Sequence, residues 1–176
     1  MSKDRKLLVV VDMQNDFIDG ALGSPRAVEI LPAVKKLVQS WTGEVVYTKD
    51  THTEDYALTQ EGRLLPVAHC IKGSKGHDVA PGIYKDGAQV FEKNTFGSIS
   101  LAQYAAEFDE VVLCGVCTDI CVVSNALLIK AFAPEIKVCV VADACAGTSV
   151  AAHEAALETM RSCQVLPLFL ESMLYD

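Results

Sequence analysis

The chain is poor in several things, and each shortage closes off a class of function. Its 176 residues carry 15 Lys and Arg against 23 Asp and Glu, a formal net charge of -8. Without clustered basic residues there is no electrostatic footprint for a nucleic acid. No apolar run approaches the roughly 20 residues needed to span a bilayer. The apolar run at residues 7–11 is too short for the core of a secretory leader and ends in Asp12. A cytoplasmic protein with neither membrane nor nucleic-acid partners is expected. Internal repeats, low-complexity stretches and long linkers are also missing. The seven cysteines (Cys70, Cys114, Cys117, Cys121, Cys139, Cys145 and Cys163) are odd in number in a leaderless chain. That pattern predicts reduced thiols rather than a disulfide framework.

What is present is enough to build one core. Half of the residues (51%) are hydrophobic, and a chain of this length suits a single domain over residues 1–176. Short apolar runs alternate with amphipathic ones. Residues 7–11 form a Val-rich run of the kind buried on both faces of a parallel sheet. Helical spacing follows over residues 26–41, with Ser24 and Pro25 at its first turn. Further strands are predicted at 45–48, 88–91, 111–114 and 137–141, with an edge strand at 165–169. Helices are predicted at 98–108, 118–132 and 149–163. Residues 51–81 read as a long irregular connection, and such loops usually carry function. Strands separated by helices predict an α/β fold: a doubly wound, mostly parallel sheet of about six strands flanked by helices.

In such sheets ligands sit beyond the carboxyl ends of the strands. The polar residues there are Asp12, Asp50 and His52, Glu92 and Lys93, the segment Cys114 to Cys121, and Asp143. An acid (Asp12), a cation (Lys93) and a thiol (Cys121) therefore share one edge. The chemistry needs these three types. Only the thiolate attacks well, and a neighbouring ammonium and a helix N-terminus favour it. A carboxylate takes the thiol proton and later delivers it to the leaving group. Backbone N–H groups of Cys117 and Cys121 are candidates for an oxyanion hole. Taken singly, a Cys at a helix start reads as core and an Asp after a strand as a turn cap. Together they point to nucleophilic hydrolysis. The Cys114-x-x-Cys117 spacing also admits a redox or zinc reading. It lacks a second ligand pair, and Cys114 ends a strand instead of opening a helix.

Asp50-x-His52, His69 and the intervening Glu61 form a second group. Side chains at i and i+2 of an extended segment point the same way, and imidazoles with carboxylates suit zinc, with iron or manganese as alternatives. As single residues, Asp-x-His and a loop histidine are equally compatible with no ligand role.

Three segments, Val-Asp12-Met-Gln-Asn-Asp-Phe, Phe-Glu-Lys93-Asn-Thr-Phe-Gly and Gly-Val-Cys117-Thr-Asp-Ile-Cys121-Val, occur in that order. Together they resemble the isochorismatase-like cysteine hydrolases, the superfamily that includes nicotinamidases. The resemblance runs from Lys6 to about Pro167. It implies Asp12 as general acid/base, Lys93 as the cation, Cys121 as nucleophile, and a cis peptide at Val116–Cys117. The Asp50-Thr-His52 and His69-Cys70-x-x-Gly73-Ser74-x-Gly76 motifs resemble the nicotinamidase metal site, which implies the ligands Asp50, His52 and His69. For the fourth ligand the resemblance prefers Glu61 to Glu54 or Asp55, with His77 weaker still. Phe17 and Phe96 match positions flanking the substrate ring, although both also suit ordinary core packing. Leu65 stands in the stretch before His69, where the family often has an aromatic residue and this chain has none.

The implied activity is conversion of nicotinamide to nicotinate and ammonia with a divalent metal, most readily zinc. A related amidase acting on an N-carbamoyl, ureido or other small amide is the alternative. A non-enzymatic binding role, which the intact triad argues against, is the third. Homo-oligomerisation is left open. His153, Met160 and Asp143 are expected to support structure.

Overall fold

A computed structural model describes residues 5–173. Its centre is a six-stranded sheet, and every strand pair in it is parallel. The strands are β1 (Lys6–Val11), β2 (Glu44–Asp50), β3 (Gln89–Lys93), β4 (Glu110–Val116), β5 (Lys137–Ala146) and β6 (Val165–Leu168). Their spatial order is β3-β2-β1-β4-β5-β6. β1 lies between two neighbours, and its residues Leu7 to Val11 are wholly buried, as their continuous apolar run requires. The strand order reverses between β1 and β4, and such a switch point is where doubly wound sheets open a crevice for ligands.

The helices are α1 (Asn15–Ile18), α2 (Pro25–Glu29), α3 (Leu31–Ser40), α4 (Gln60–Leu64), α5 (Ile99–Ala105), α6 (Val123–Phe132), α7 (Val150–Ser162) and α8 (Leu170–Met173). Serine caps start three of them: Ser24, Ser98 and Ser149 accept hydrogen bonds from Ala27, Leu101 and Ala152 N–H groups. α5 packs on α6 and α6 on α7, while α2 and α3 pack together and touch β5. No helix among the described residues is long and apolar enough to cross a membrane.

Several boundaries differ from the sequence reading. The helix expected over 26–41 is broken at Ile30 into α2 and α3, because Pro32 has no N–H to give to the preceding turn. β2 and β3 run on to Asp50 and Lys93, which are direct cross-strand partners, so in-register pairing carries both strands past their last apolar residues. β5 continues to Ala146 through a register shift against β4 between Leu113 and Gly115. Within the connection over 51–81 lie α4 and two short 3₁₀ turns, Glu54–Leu58 and Lys75–His77. The first turn expected of the helix over 118–132 is a π turn, Thr118–Val122, that runs directly into α6. Such turns recur at functional sites.

Candidate active site

The close approach of β1 to β4 depends on Gly115. It adopts a φ of +117°, and a Cβ there would lie 2.1 Å from the Val11 carbonyl oxygen. The next residue along β1, Asp12, has a φ of 48°, which is uncommon away from glycine and marks a place where the surrounding structure holds the backbone in a costly state. Thr48 on β2 does the holding. Its carbonyl and its Oγ1 each accept from Asp12 N–H at 3.2 Å, and its hydroxyl donates to Asp12 Oδ1 at 2.6 Å.

Lys93 closes β3 and is buried with Asp12. Its Nζ lies 2.6 Å from Asp12 Oδ2 and 3.5 Å from Cys121 Sγ. Among the described residues Oδ2 has no hydrogen-bond partner apart from that ammonium, so it keeps a lone pair free for a proton. Burial opposes the charge on Lys93, but Asp12, Cys121 and Asp50 together outweigh it and hold the ammonium above its ordinary pKa. Cys121 lies in the π turn. Burial first, and then the Asp12 charge, push its thiol well up, against the pull of Lys93. The resting thiol holds its proton beside a carboxylate, and the arrangement suits proton transfer during attack.

The peptide bond between Val116 and Cys117 is cis, as the resemblance implies. Ile120 and Val122 N–H groups both donate to the Cys117 carbonyl, which anchors this peptide at the head of the turn that carries Cys121. Burial and the charges of Asp119 and Asp12 push the Cys117 thiol to about 12. Cys114 is wholly buried in β4 and its thiol is also pushed well up, which suits packing better than redox chemistry.

The second group assembles beside the first. A two-bond bridge joins the end of β2 to the loop after α4: His52 N–H donates to the Cys70 carbonyl at 3.0 Å and Lys72 N–H to the His52 carbonyl at 2.9 Å. Asp50 Oδ2 then lies 3.0 Å from His52 Nε2 and 3.2 Å from His69 Nε2. Glu61 Oε1, from α4, is 3.9 Å from the first nitrogen and 3.8 Å from the second. All four donor atoms fall within 4.8 Å of one another. Tetrahedral ligands on bonds of about 2.0–2.2 Å would stand roughly 3.3–3.6 Å apart, so the four residues fit a divalent cation with small adjustments. His69 Nδ1 donates to the Val67 carbonyl at 2.8 Å, which turns Nε2 toward the other three donors. Tyr56 packs edge-on against both imidazoles. Glu54 and Asp55 are exposed on the adjacent 3₁₀ turn, and His77 bonds Thr51 Oγ1, so none of the three belongs to the cluster.

Asp50 links the two groups. Its Oδ2 faces the imidazoles, while its Oδ1 is 3.8 Å from Lys93 Nζ. Burial acts against the Asp50 charge, but His69, Lys93 and His52 outweigh it and hold the carboxyl below its ordinary pKa.

The four metal-side residues and Cys121 open into one cleft of about 940 Å³. Phe17, Phe96 and Leu65 line it, and Phe17 leans over the His69 ring with centroids 5.6 Å apart. His153 accepts or donates a 2.8 Å bond with Thr118 and so braces the π turn. Asp143 accepts from Leu170 N–H and Met160 is fully buried, both in structural roles.

Three contributors escaped the sequence reading. Gln14, fully buried, clamps the metal-side backbone: its Nε2 donates to the Asp50 and His77 carbonyls at 2.8 and 3.0 Å, and its Oε1 accepts from Asp50 N–H at 2.7 Å. Asp16 Oδ2 accepts from Cys70 N–H at 2.7 Å and seats the His69 loop on α1. Asn125, one turn beyond Cys121, donates to the Cys121 carbonyl and accepts from Ser98 N–H, tying the nucleophile's helix to the loop that carries Phe96. The only sequence signal was a polar residue beside a motif, without a spacing rule to mark it.

Residues 6–170 match the family model described as the isochorismatase domain. The chain is 29% identical to a nicotinamidase/pyrazinamidase of Mycobacterium tuberculosis over 184 aligned positions, covering 91% of this chain and 96% of that protein. It superposes with a TM-score of 0.83 on the pyrazinamidase of Pyrococcus horikoshii in complex with zinc, at 28% identity, covering 94% of this chain and 99% of that one. An N-carbamoylsarcosine amidase from Thermoplasma acidophilum gives a TM-score of 0.78 at 27% identity, covering 95% and 97%.

Proposed function

Since the chain belongs to the isochorismatase family, we propose that it is a metal-assisted cysteine amidohydrolase that converts nicotinamide to nicotinate and ammonia. The observation that carries this reading is the shared carboxylate of Asp50, which joins a four-donor metal cluster to an Asp12–Lys93–Cys121 triad whose Cys121 lines the same cleft. A substrate with a ring nitrogen and a carboxamide has one group for each centre. An amide on an N-carbamoyl or ureido compound would use the triad alone and leave the cluster without a task.

A divalent cation held by Asp50, His52, Glu61 and His69, most readily zinc, supplies a Lewis-acid anchor for the ring nitrogen. The remaining steps belong to the chain's own residues. Asp12 Oδ2 takes the Cys121 proton as Sγ attacks the carboxamide carbon. Lys93 stays charged and stabilises whichever of the two neighbours carries the negative charge. The Cys117 and Cys121 N–H groups face the tetrahedral oxyanion. Asp12 returns its proton to the nitrogen, ammonia leaves, and a thioester on Cys121 remains. Asp12 then takes a proton from water, which attacks the thioester carbon. The Cys121 sulfur leaves and regains its proton from Asp12, and the carboxylic acid so formed departs, losing its proton to solvent as nicotinate.

The test is ammonia release from nicotinamide by zinc-loaded protein, with Cys121→Ala and chelated protein beside it. Turnover lost in both controls is expected. Wild-type turnover by Cys121→Ala would overturn the mechanism, and no release from nicotinamide by the loaded protein would overturn the substrate.

A further inference from the structure

The cleft is much larger than the substrate just assigned to it. Pockets of roughly 300–1,000 Å³ bury drug-sized ligands. This one holds about 940 Å³, and nicotinamide is one ring with one carboxamide. The space is also divided by chemistry. The floor carries Asp50, His52, His69 and Cys121, all nearly solvent-free, with Glu61 half-buried beside them. The upper walls and rim are mixed: Leu22 is half-buried, Leu65 is 38% exposed, Phe96 49% and Leu64 78%, and they stand among the exposed Thr53, Gln60, Asn94 and Thr148. Large apolar side chains gathered at the mouth of a catalytic cleft are a surface awaiting something to cover.

The two anchors decide which part of a substrate reaches that rim. With the ring nitrogen at the Asp50–His52–Glu61–His69 cluster and the carboxamide at Cys121, the carbon between them (C2) faces the Asp50–Lys93 pair that joins the two centres. The opposite carbon, C5, points away from both. We propose that the rim of Leu22, Leu64, Leu65 and Phe96 is a subsite for a hydrophobic substituent at C5, so that the cleft takes 5-substituted pyridine-3-carboxamides in preference to nicotinamide itself. The inference rests on the pyridine-carboxamide reading of the floor and adds the apolar substituent to it. Leu64 is the most useful probe. It ends α4, stands largely in solvent, and its side chain is not one of the four metal-side donors.

The experiment measures binding with turnover removed. Nicotinamide and 5-propylnicotinamide are titrated calorimetrically into zinc-loaded Cys121→Ala protein and into the same protein carrying Leu64→Ser. Each buried methylene strengthens binding by about fourfold at most, so a partly covered propyl group is expected to lower Kd roughly tenfold relative to nicotinamide. Leu64→Ser is expected to reduce that advantage about threefold or more, and Leu64→Ser in the otherwise native protein to leave nicotinamide turnover unchanged. Hydrolysis of nicotinamide by the native protein together with equal or weaker binding of 5-propylnicotinamide would overturn the subsite alone. An advantage untouched by Leu64→Ser would remove the rim from the account. Failure of both compounds to bind would overturn the subsite together with the functional reading beneath it.

Discussion

Gln14 offers the sharpest test of how the metal side is built, because it makes no contact with the cleft's chemistry except through backbone. Its side-chain amide forms three hydrogen bonds, to Asp50 N–H, to the Asp50 carbonyl and to the His77 carbonyl, and it is wholly buried. Gln14→Met preserves length and flexibility and removes all three. Three main-chain groups lose their partner where water does not reach. At about 1–3 kcal/mol for each unsatisfied group, with partial relaxation, the expected destabilisation is roughly 3–5 kcal/mol. In a domain of this size that lowers Tm by roughly 6–20 °C. Asp50 would also lose its fixed backbone, and loss of a supporting bond of this kind typically weakens metal binding 10–100-fold. Calorimetry of the metal-free protein reads the first effect, and competition with a chromophoric chelator reads the second. Alkylation of Cys121, which lies in the π turn after β4, is expected to proceed at the native rate. A Tm within about 2 °C of the native value with unchanged zinc affinity would refute the reasoning, since the clamp would then be holding nothing.

Other consequences follow from the same geometry. Lys93→Met leaves Asp12 as an unpaired buried carboxylate, and a loss of about 3–5 kcal/mol in stability is expected together with at least 100-fold lower turnover, read by denaturant titration and ammonia release. Gly115→Ala places a methyl group against the Val11 carbonyl at an unfavourable φ; the expected outcome is a cost of several kcal/mol and a displaced Asp12, seen as lost activity at temperatures where circular dichroism still reports a folded chain. Tyr47 donates to the Ile83 carbonyl, and burial raises its pKa to about 12 from 10.0. Because the folded state favours its protonated form, its contribution is complete below about pH 10 and is lost as the pH rises toward 12, amounting to roughly 2–3 kcal/mol. Comparing the alkaline stability profiles of native protein and Tyr47→Phe isolates this loss, which the variant is expected to lack.

Much of the site was legible because parallel sheets obey a positional rule. Asp12, Lys93 and Cys121 stand at strand ends, and a residue's distance past an apolar run is visible in one dimension. Asp50 and His52 were legible for the same reason. Glu61 and His69 were harder, since they are brought to the others by α4 and by loop contacts such as the His52–Ile71 bridge, which periodicity does not encode. The supporting layer was not legible at all. Gln14, Asp16 and Asn125 act by bonding main-chain groups far away in sequence, and a single buried amide carries no pattern. The same limit explains the helix ends. Pro32 stood inside an apolar period that looked continuous over 26–41, and the period outweighed the missing N–H in the sequence while the structure obeyed the missing N–H. The protonation of Cys121 turned on burial, which sequence does not report: the ammonium beside it was foreseen, and the desolvation that outweighs the ammonium was not.

The central claim is that Cys121 becomes acylated by nicotinamide on the way to nicotinate. Acid-quenching the zinc-loaded protein during turnover and mapping its peptides by mass spectrometry tests this directly. The account predicts a nicotinoyl group on the peptide carrying Cys121, absent without substrate and absent from Cys121→Ala. Steady turnover of nicotinamide with an unmodified Cys121 peptide at every quench time, in protein where Cys121→Ala also turns over, would contradict it.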